Sequence, residues 1–577
     1  MKPATTFLPF LVTDQQAGKL PRWGLLLLCA LYTLPGLIAR DPWRADDAAT
    51  FGVALTMARG TLADWIAPNL AGLSMPDRGP LPHWIQAMAM QIGYAFNGLG
   101  VNSISEHLAT RSASITLLFA ALTFVWYAAY TLASRQGLQP SDPFEVAANR
   151  TDFGRTVADS ALLLLMASFG LVARVHETSV DAIQFTWSCL FIWSLARALE
   201  RPRSSGWLLG LSLAATTLTR GPYLTFGLLG SWLLAILICP PLRWGFITSI
   251  WRASIVVVVL VGGWVWAAQT TNPTHLAAWL EQGRMGMPDT ELLSYYLRTL
   301  PWFFWPTWPI GLWAIWRWRA RIEEPIIAIP LALLIGIGFV AVFQDKTGES
   351  ALLPLIPASA IIAAIGLPTL KRGVVSLVDW FAVISFTVFG FATWAYWIAF
   401  LTGTPPAMAR SVARIAPGFE PSFVAVAFAL GLAASLAWLA LIRWRLGRHT
   451  STIWRPVALS CGGLILTWFL LMTLWLPFFN ERNTYRDVAL NLNRSVNLGT
   501  DCVDANIGTT ERTSFFYYSS MRFSRSDELV KRCPFLMLKD EGPLVKVTNL
   551  AEAGYKLVWQ GGRRSMRDER FRLYKKL

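Results

Sequence analysis

Residues 22–60 read RWGLLLLCALYTLPGLIARDPWRADDAATFGVALTMARG. The run 22–39 is apolar and long enough to cross the roughly 30 Å hydrocarbon core of a bilayer as a helix. Two adjacent acids, Asp46 and Asp47, stand just beyond its end. After them Phe51, Leu55, Ala58 and Leu62 recur at helical spacing, in a stretch too polar to span. A second such stripe, Leu81, Trp84, Ile85, Met88 and Ile92, follows in the same loop. Both stripes are predicted to be external juxtamembrane helices lying apolar side down on the membrane surface.

The chain has 577 residues, of which 54% are hydrophobic and only 15% charged, and the apolar residues come in long runs. That is the composition of a membrane protein. About 13 spans are predicted, at 22–39, 109–133, 156–173, 182–199, 207–219, 222–239, 249–268, 299–316, 325–343, 351–370, 377–401, 421–442 and 456–478. The first run lacks a small-residue cleavage site and is read as a retained helix. Basic loops at 200–203, 317–324, 371–373 and 443–449 fall on one side of the alternation, which places that side and the N-terminus in the cytoplasm. The odd count puts 480–577 outside. The polar, proline-containing segment 134–155 reads as a flexible cytoplasmic insert.

The expected fold is therefore an α-helical polytopic membrane region, 1–479, with external loops at 40–108 and 269–298, and a small external α/β domain at 480–577. In that domain TYRDVALNLNRSV has a helix pattern, while SFFYYSS, PFLMLKD, YKLVWQGG and RFRLYKK are rich in strand-forming residues. Its two cysteines, Cys502 and Cys533, are free to pair in an oxidising compartment. The other four lie within predicted spans and read as small buried hydrophobes. A formal charge of +15 is accounted for by loop arginines and lysines that fix topology and meet anionic headgroups of membrane lipids. No basic cluster carries interleaved aromatics, so nucleic acid is excluded as a partner.

Each candidate functional residue has a structural reading beside the chemical one. Asp46 and Asp47 suit a helix N-cap, and Asp181 suits the start of the fourth predicted span. Arg220, in LTRGPY, suits either a snorkelling role or, at a helix broken by Gly-Pro, the grip of a phosphate. Lys346, in FQDKTGES, has the same two readings. What weighs toward chemistry is company. Asp77, Arg78 and His83 in MPDRGPLPHW, Arg174, His176, Glu177 and Asp181 in ARVHETSVD, and Glu349 beside Lys346 all fall on the external side. Ionisable groups at membrane edges are costly unless they face water, partners or a cavity. External acids and cations at the boundary suit a lipid-linked sugar phosphate, with cations on the phosphate and an Asp as base or electrostatic stabiliser. No cofactor is required and no structural metal is expected, although the Glu-containing loops leave a divalent cation open. A transporter or flippase of a lipid-linked or anionic substrate is the alternative class, but it would bury its charges near the midplane around paired repeats.

The stretch WRADDAATFGVALTMARGTLADWIAPNLAGLSMPDRGPLPHWIQAM, residues 43–88, resembles the first external loop of the bacterial aminoarabinose transferases of lipid A and the related protein O-mannosyltransferase-like glycosyltransferases. The order of later landmarks agrees: Asp181, then Arg220-Gly221, then Lys346 ahead of Leu352-Leu353-Pro354. The resemblance implies the GT-C architecture and transfer from a polyprenyl (undecaprenyl) phosphate sugar at the periplasmic face of the bacterial inner membrane. The acceptor would be a lipid such as lipid A, another glycan or a protein. By position it makes Asp46 the key first-loop carboxylate, Asp181 its companion, and Arg220 and Lys346 the phosphate contacts; their neighbours on the external side complete the candidate set, with Asp47 for catalysis, Arg78 for the donor phosphate, and Asp77, His83 and Glu349 for substrate. Two departures stand out. The family's Glu-Lys-Pro-Pro reads Asp77-Arg78-Gly79-Pro80 here, and the tyrosine expected after Lys346 is missing from TGESALLP.

Overall fold

The computed structural model describes residues 12–43, 45–99, 104–136, 138, 147–281, 286–287, 290–343, 348–447, 452–499, 501–524, 533–541, 554–564, 566 and 569–577. Every predicted span overlaps helix, although the first helix stops at Thr33, short of residue 39, and the span 299–316 is broken between Phe303 and Thr307. Among the described residues seven helical stretches are long and apolar enough to cross a membrane, from Glu106–Ala133 to Arg455–Leu474, and an eighth arises if Arg150–Met166 and Phe169–Val175, bent by 66°, count as one span. Shorter apolar helices at Arg22–Thr33 and Tyr223–Ile238 add to them. The chain is a multi-pass membrane protein.

The helices sort by burial. Ile356–Gly366 is buried along its whole length and Val180–Ala198 nearly so, whereas among its described side chains Ala425–Leu446 buries only Gly431 and Trp438 and Arg372–Thr402 presents Leu377, Ile384, Phe389 and Phe391 outward. With lipid as solvent, an exposed apolar face needs no partner, so the outer helices stay apolar all round while the inner ones fill the core.

The external loop departs from expectation. The Asp46–Arg59 helix does not lie on the membrane with one face down: Asp47 through Ala58 are all buried. It is covered by Leu81–Gly98, by a hairpin of β1 (Asn69–Leu70) and β2 (Leu73–Ser74), and by a helix of the C-terminal region, Thr509–Tyr518. Gly52, Ala48, Ala49 and Ala54 make it thin enough to be packed on all sides. Leu81–Gly98 fits the surface reading better, with Met88, Ile92 and Phe96 exposed.

The C-terminal region is a five-stranded sheet in the order β4-β3-β5-β7-β6, with β3 (Cys502–Asn506) parallel to β4 (Arg522–Phe523) and β5 (Phe535–Glu541), and β7 (Glu569–Lys576) antiparallel to β5 and β6 (Tyr555–Gly561). Arg486–Ser495 is helical as its pattern predicts. SFFYYSS is not a strand: it lies in the Thr509–Tyr518 helix and the turn after it. Its aromatics fill two interfaces, Phe515 against the sheet and Phe516 and Tyr517 against the first-loop core, and that tertiary demand overrides strand propensity. Cys502 and Cys533 are joined by a disulfide, while Cys29, Cys189, Cys239 and Cys461 are free and buried.

Candidate active site

Asp46 and Asp47 occupy the first turn of their helix, but neither caps it; the N-cap is Ala45 and has no side-chain bond. Asp46 points to water, with a side chain 39% exposed, and its Oδ1 lies 2.6 Å from Nη2 of Arg78. Arg78 Nη1 donates to Thr50 Oγ1 at 2.8 Å, one turn along the same helix, so the guanidinium is fixed between two residues of one face. Asp77 Oδ2 stands 3.9 Å from Arg78 Nε. Gly79, where the resembling family has proline, explains how this turn is placed. Its N–H donates to Thr219 O at 2.9 Å, and a Cβ there would meet Leu218 O at 2.0 Å. The Asp77–Pro80 turn is thereby pressed onto the end of the Pro202–Arg220 helix, the element that carries Arg220.

That helix is longer than the dozen residues expected, because Pro202 through Gly206 also join it. It ends where Gly221 takes φ +103°. Arg220 Nη1 lies 2.5 Å from Asp181 Oδ1 and 3.2 Å from Ser350 Oγ. Asp181 stands at the start of Val180–Ala198, capped instead by Ser179, and its side chain is only 9% exposed. Asp46, Arg78 and Arg174 are all near enough for their charges to act on the Asp181 carboxylate. Arg174 itself, carried past the 66° bend, pairs through Nε with Glu349 Oε2 at 2.7 Å. Asp46, Asp181 and Glu349 from three loops thus meet Arg78, Arg220 and Arg174 at one end of the helix bundle. Ser350, inside TGESALLP, supplies a hydroxyl beside Arg220; nothing in the sequence pattern singled it out.

Asp47 has a different task from its neighbour. It is buried and receives both Arg111 terminal nitrogens, at 2.8 and 2.7 Å, as well as the backbone N–H of Trp43 and Thr178 at 3.0 and 2.9 Å. Arg40 stands 3.6 Å away. Burial alone would raise this carboxyl, but the Arg111 and Arg40 guanidiniums and the hydrogen bonds hold it well below the usual carboxylate range. With every lone pair engaged and no open side, Asp47 ties the first-loop helix to Glu106–Ala133 and to the loop before Asp181, and so positions the acids that face water. Arg111, its principal partner, was invisible as a site residue because it sits inside an apolar span.

His83 and His176 are structural. His83 is fully buried beneath Arg78 with Nδ1 3.3 Å from Thr50 O, and burial, reinforced by the Arg78 charge, pushes it down to about 3. It stays neutral and lies under the cluster, not on its open face where substrate contact was expected. His176 is enclosed between the carbonyls of Tyr32 and Val172. Lys346 lies outside the described residues. Among the described residues no group of three or more His, Cys, Asp or Glu side chains gathers as a metal site would require.

No protein-family model matches the sequence, and no curated protein matches it. Solved structures do. The chain superposes on ArnT from Cupriavidus metallidurans bound to undecaprenyl phosphate with a TM-score of 0.65, 96% of this chain covering 98% of that one at 14% identity. The fold is that of ArnT. The apo state of the same protein matches over the same shares of both chains with a TM-score of 0.61. Near end-to-end coverage means that the ArnT-type, GT-C arrangement includes the C-terminal sheet as well as the membrane helices.

Proposed function

We propose that this protein is an integral-membrane glycosyltransferase that moves a sugar from a polyprenyl phosphate, such as undecaprenyl phosphate, to an acceptor on the periplasmic side of the bacterial inner membrane. The observation that carries the reading is the convergence of Asp46–Arg78 and Asp181–Arg220 at the water-facing end of the helix bundle, in the fold of a protein solved with undecaprenyl phosphate bound. In the reaction an acceptor oxygen bonds to the anomeric carbon as the bond from that carbon to the phosphate oxygen breaks. The electron pair leaves on the polyprenyl phosphate. Arg220, 32% exposed, meets that developing charge, with Ser350 as a further donor and Lys346 as a second cation. Asp46 accepts the proton of an acceptor hydroxyl, or orients an acceptor that is already an anion. Arg78 is nearly buried and already engaged, so it acts by holding Asp46.

Lipid A, another envelope glycan and a protein side chain are the acceptor classes, and both pentoses and hexoses suit the donor. The decisive experiment incubates purified protein with a polyprenyl-phosphate sugar and envelope acceptors and follows release of polyprenyl phosphate. Asp46→Asn is expected to abolish release with an unchanged helical circular dichroism spectrum; undiminished release would remove Asp46 from the mechanism. Comparing envelope glycolipids of a deletion strain with wild type by mass spectrometry identifies the sugar and its carrier from the missing mass.

A further inference from the structure

A cavity of about 510 Å³ opens in the C-terminal region, between the Arg486–Ser495 helix and the turn that follows β6. That volume is typical of a small-molecule site. Its lining begins at Glu481, one residue after Asn480, whose Oδ1 receives the Asp41 N–H at 3.2 Å and the Trp43 indole N–H at 2.8 Å. The cavity therefore lies on the same side of the membrane as the acid–base cluster, although no residue of that cluster lines it.

Both walls are fixed. On the helix, Asp487, Asn491 and Arg494 recur at spacings of four and three, so they form one polar face that spans about 10.5 Å along the axis. Opposite them, Trp559 of β6 lines the cavity with its Nε1 donating to Asn491 Oδ1 at 3.1 Å. Gly561 and Gly562 end that wall as no other residue could: a Cβ at 561 would meet the Trp559 ring at 2.3 Å, and one at 562 would meet Glu569 O at 2.3 Å. Arg563 is locked by Glu569 Oε2 at 2.7 Å and Arg482 O at 2.8 Å, over the ring of Tyr485. A site set before its ligand arrives spares the cost of ordering it.

The charges nearly cancel. With Arg563 answered by Glu569, the guanidiniums of Arg494 and Arg564 stand against the carboxylates of Glu481 and Asp487, which lie within hydrogen-bond reach of each other. A phosphate would meet the acid pair and an amine or metal ion would meet the arginines, so neither ion is favoured. What remains is a lining dense in both donors and acceptors, since guanidiniums donate, carboxylates accept, and the amides of Asn491 and Gln560 do both. Sugar hydroxyls also do both, and the C–H face of a pyranose suits the electron-rich face of an indole.

We propose that this cavity binds an uncharged saccharide unit of a glycan, with its hydroxyls between Asp487 and Arg494 and a ring against Trp559. The site goes beyond the glycosyl-transfer reading and does not rest on it, because none of its residues takes part in that chemistry.

Saturation-transfer difference NMR on the full-length protein in detergent tests this, with lipid-free oligosaccharides released by mild acid from the producing organism's envelope as the probe. Saturation should reach the sugar ring protons in the wild type and equally in Asp46→Asn, which separates this site from the acid–base cluster. Gln560→Trp, which fills the cavity from an exposed lining position, should abolish the signal. Asp487→Ala, exposed in the first turn of its helix, should weaken binding at least about tenfold, and it decides the matter if Gln560→Trp fails to fold by thermal unfolding. No saturation in the wild type, loss of it in Asp46→Asn, an unchanged signal in folded Gln560→Trp or in Asp487→Ala, or displacement of the sugar by equimolar dihexanoyl-phosphatidylethanolamine would each overturn the assignment.

Discussion

Asp46 and Asp47 differ by one position and by almost everything else, and burial decides which effect wins in each. Asp46 is half in water and its pair with Arg78 resembles a surface bridge, so Asp46→Asn is expected to cost no more than about 1 kcal/mol of stability while removing activity. Asp47→Asn leaves Arg111 buried without its counter-charge and Arg40 with Glu177 alone, and a loss of about 3–5 kcal/mol is expected. Thermal unfolding in detergent separates the two: similar midpoints for both variants would mean that Asp47 does not carry the packing. Glu177 adds a pH dependence. Burial pushes its carboxyl up to about 7, with Asp47 adding and Arg40 opposing. A folded-state value above the unfolded one means stability that is complete below about pH 4.5 and lost as pH rises through 7. Glu177→Gln should therefore raise the unfolding midpoint at pH 8 and leave it nearly unchanged at pH 4; a uniform shift would count against this.

The Asp77–Pro80 turn and the Thr509–Tyr518 helix are the parts that hold the cluster in register. Gly79→Ala puts a methyl group against Leu218 O, so the turn must lift from the Arg220 helix. A fall in turnover of at least about tenfold is expected, since even 1 Å of misplacement is costly to catalysis; wild-type rates would show that the close approach is incidental. On the other side, Thr513 Oγ1 donates to Ala48 O at 3.1 Å and Arg512 Nη2 to Ala71 O at 2.9 Å. Thr513 is buried, and Thr513→Arg should undock the sheet from the first loop, which limited proteolysis of residues 480–577 would reveal. The pairing of Asp46 with Arg78 was within reach of the sequence because both lie in one short loop with a recognisable pattern. The roles of Arg111 and Ser350 were not, because each acts across 60 or more residues of chain through contacts that no local period encodes. The surface reading of Asp46–Arg59 failed for the same reason: an apolar stripe states that a face is covered, not by what.

Across the molecule, hydropathy located the helices well, since lipid imposes the same demand on every span. Which helices form the core depended on packing that hydropathy does not record. The external placement of the sheet is checked by labelling: after reduction, a membrane-impermeant thiol reagent should modify Cys502 and Cys533 in intact periplasm-accessible cells, and reaction only after permeabilisation would invert the topology. Their disulfide closes a separation of 31 residues, worth about 3–4 kcal/mol in the chain-entropy model, so reduction alone should loosen the sheet. The bond from Thr513 to Ala48 joins positions 465 residues apart. At roughly 5–20 residues per second of synthesis, the acid-bearing helix is made some 25–90 s before the segment that covers it. During that interval the helix has Leu81–Gly98 and the hairpin against it but not its third cover, and the face that Thr509–Tyr518 closes stays open until the last part of the chain arrives.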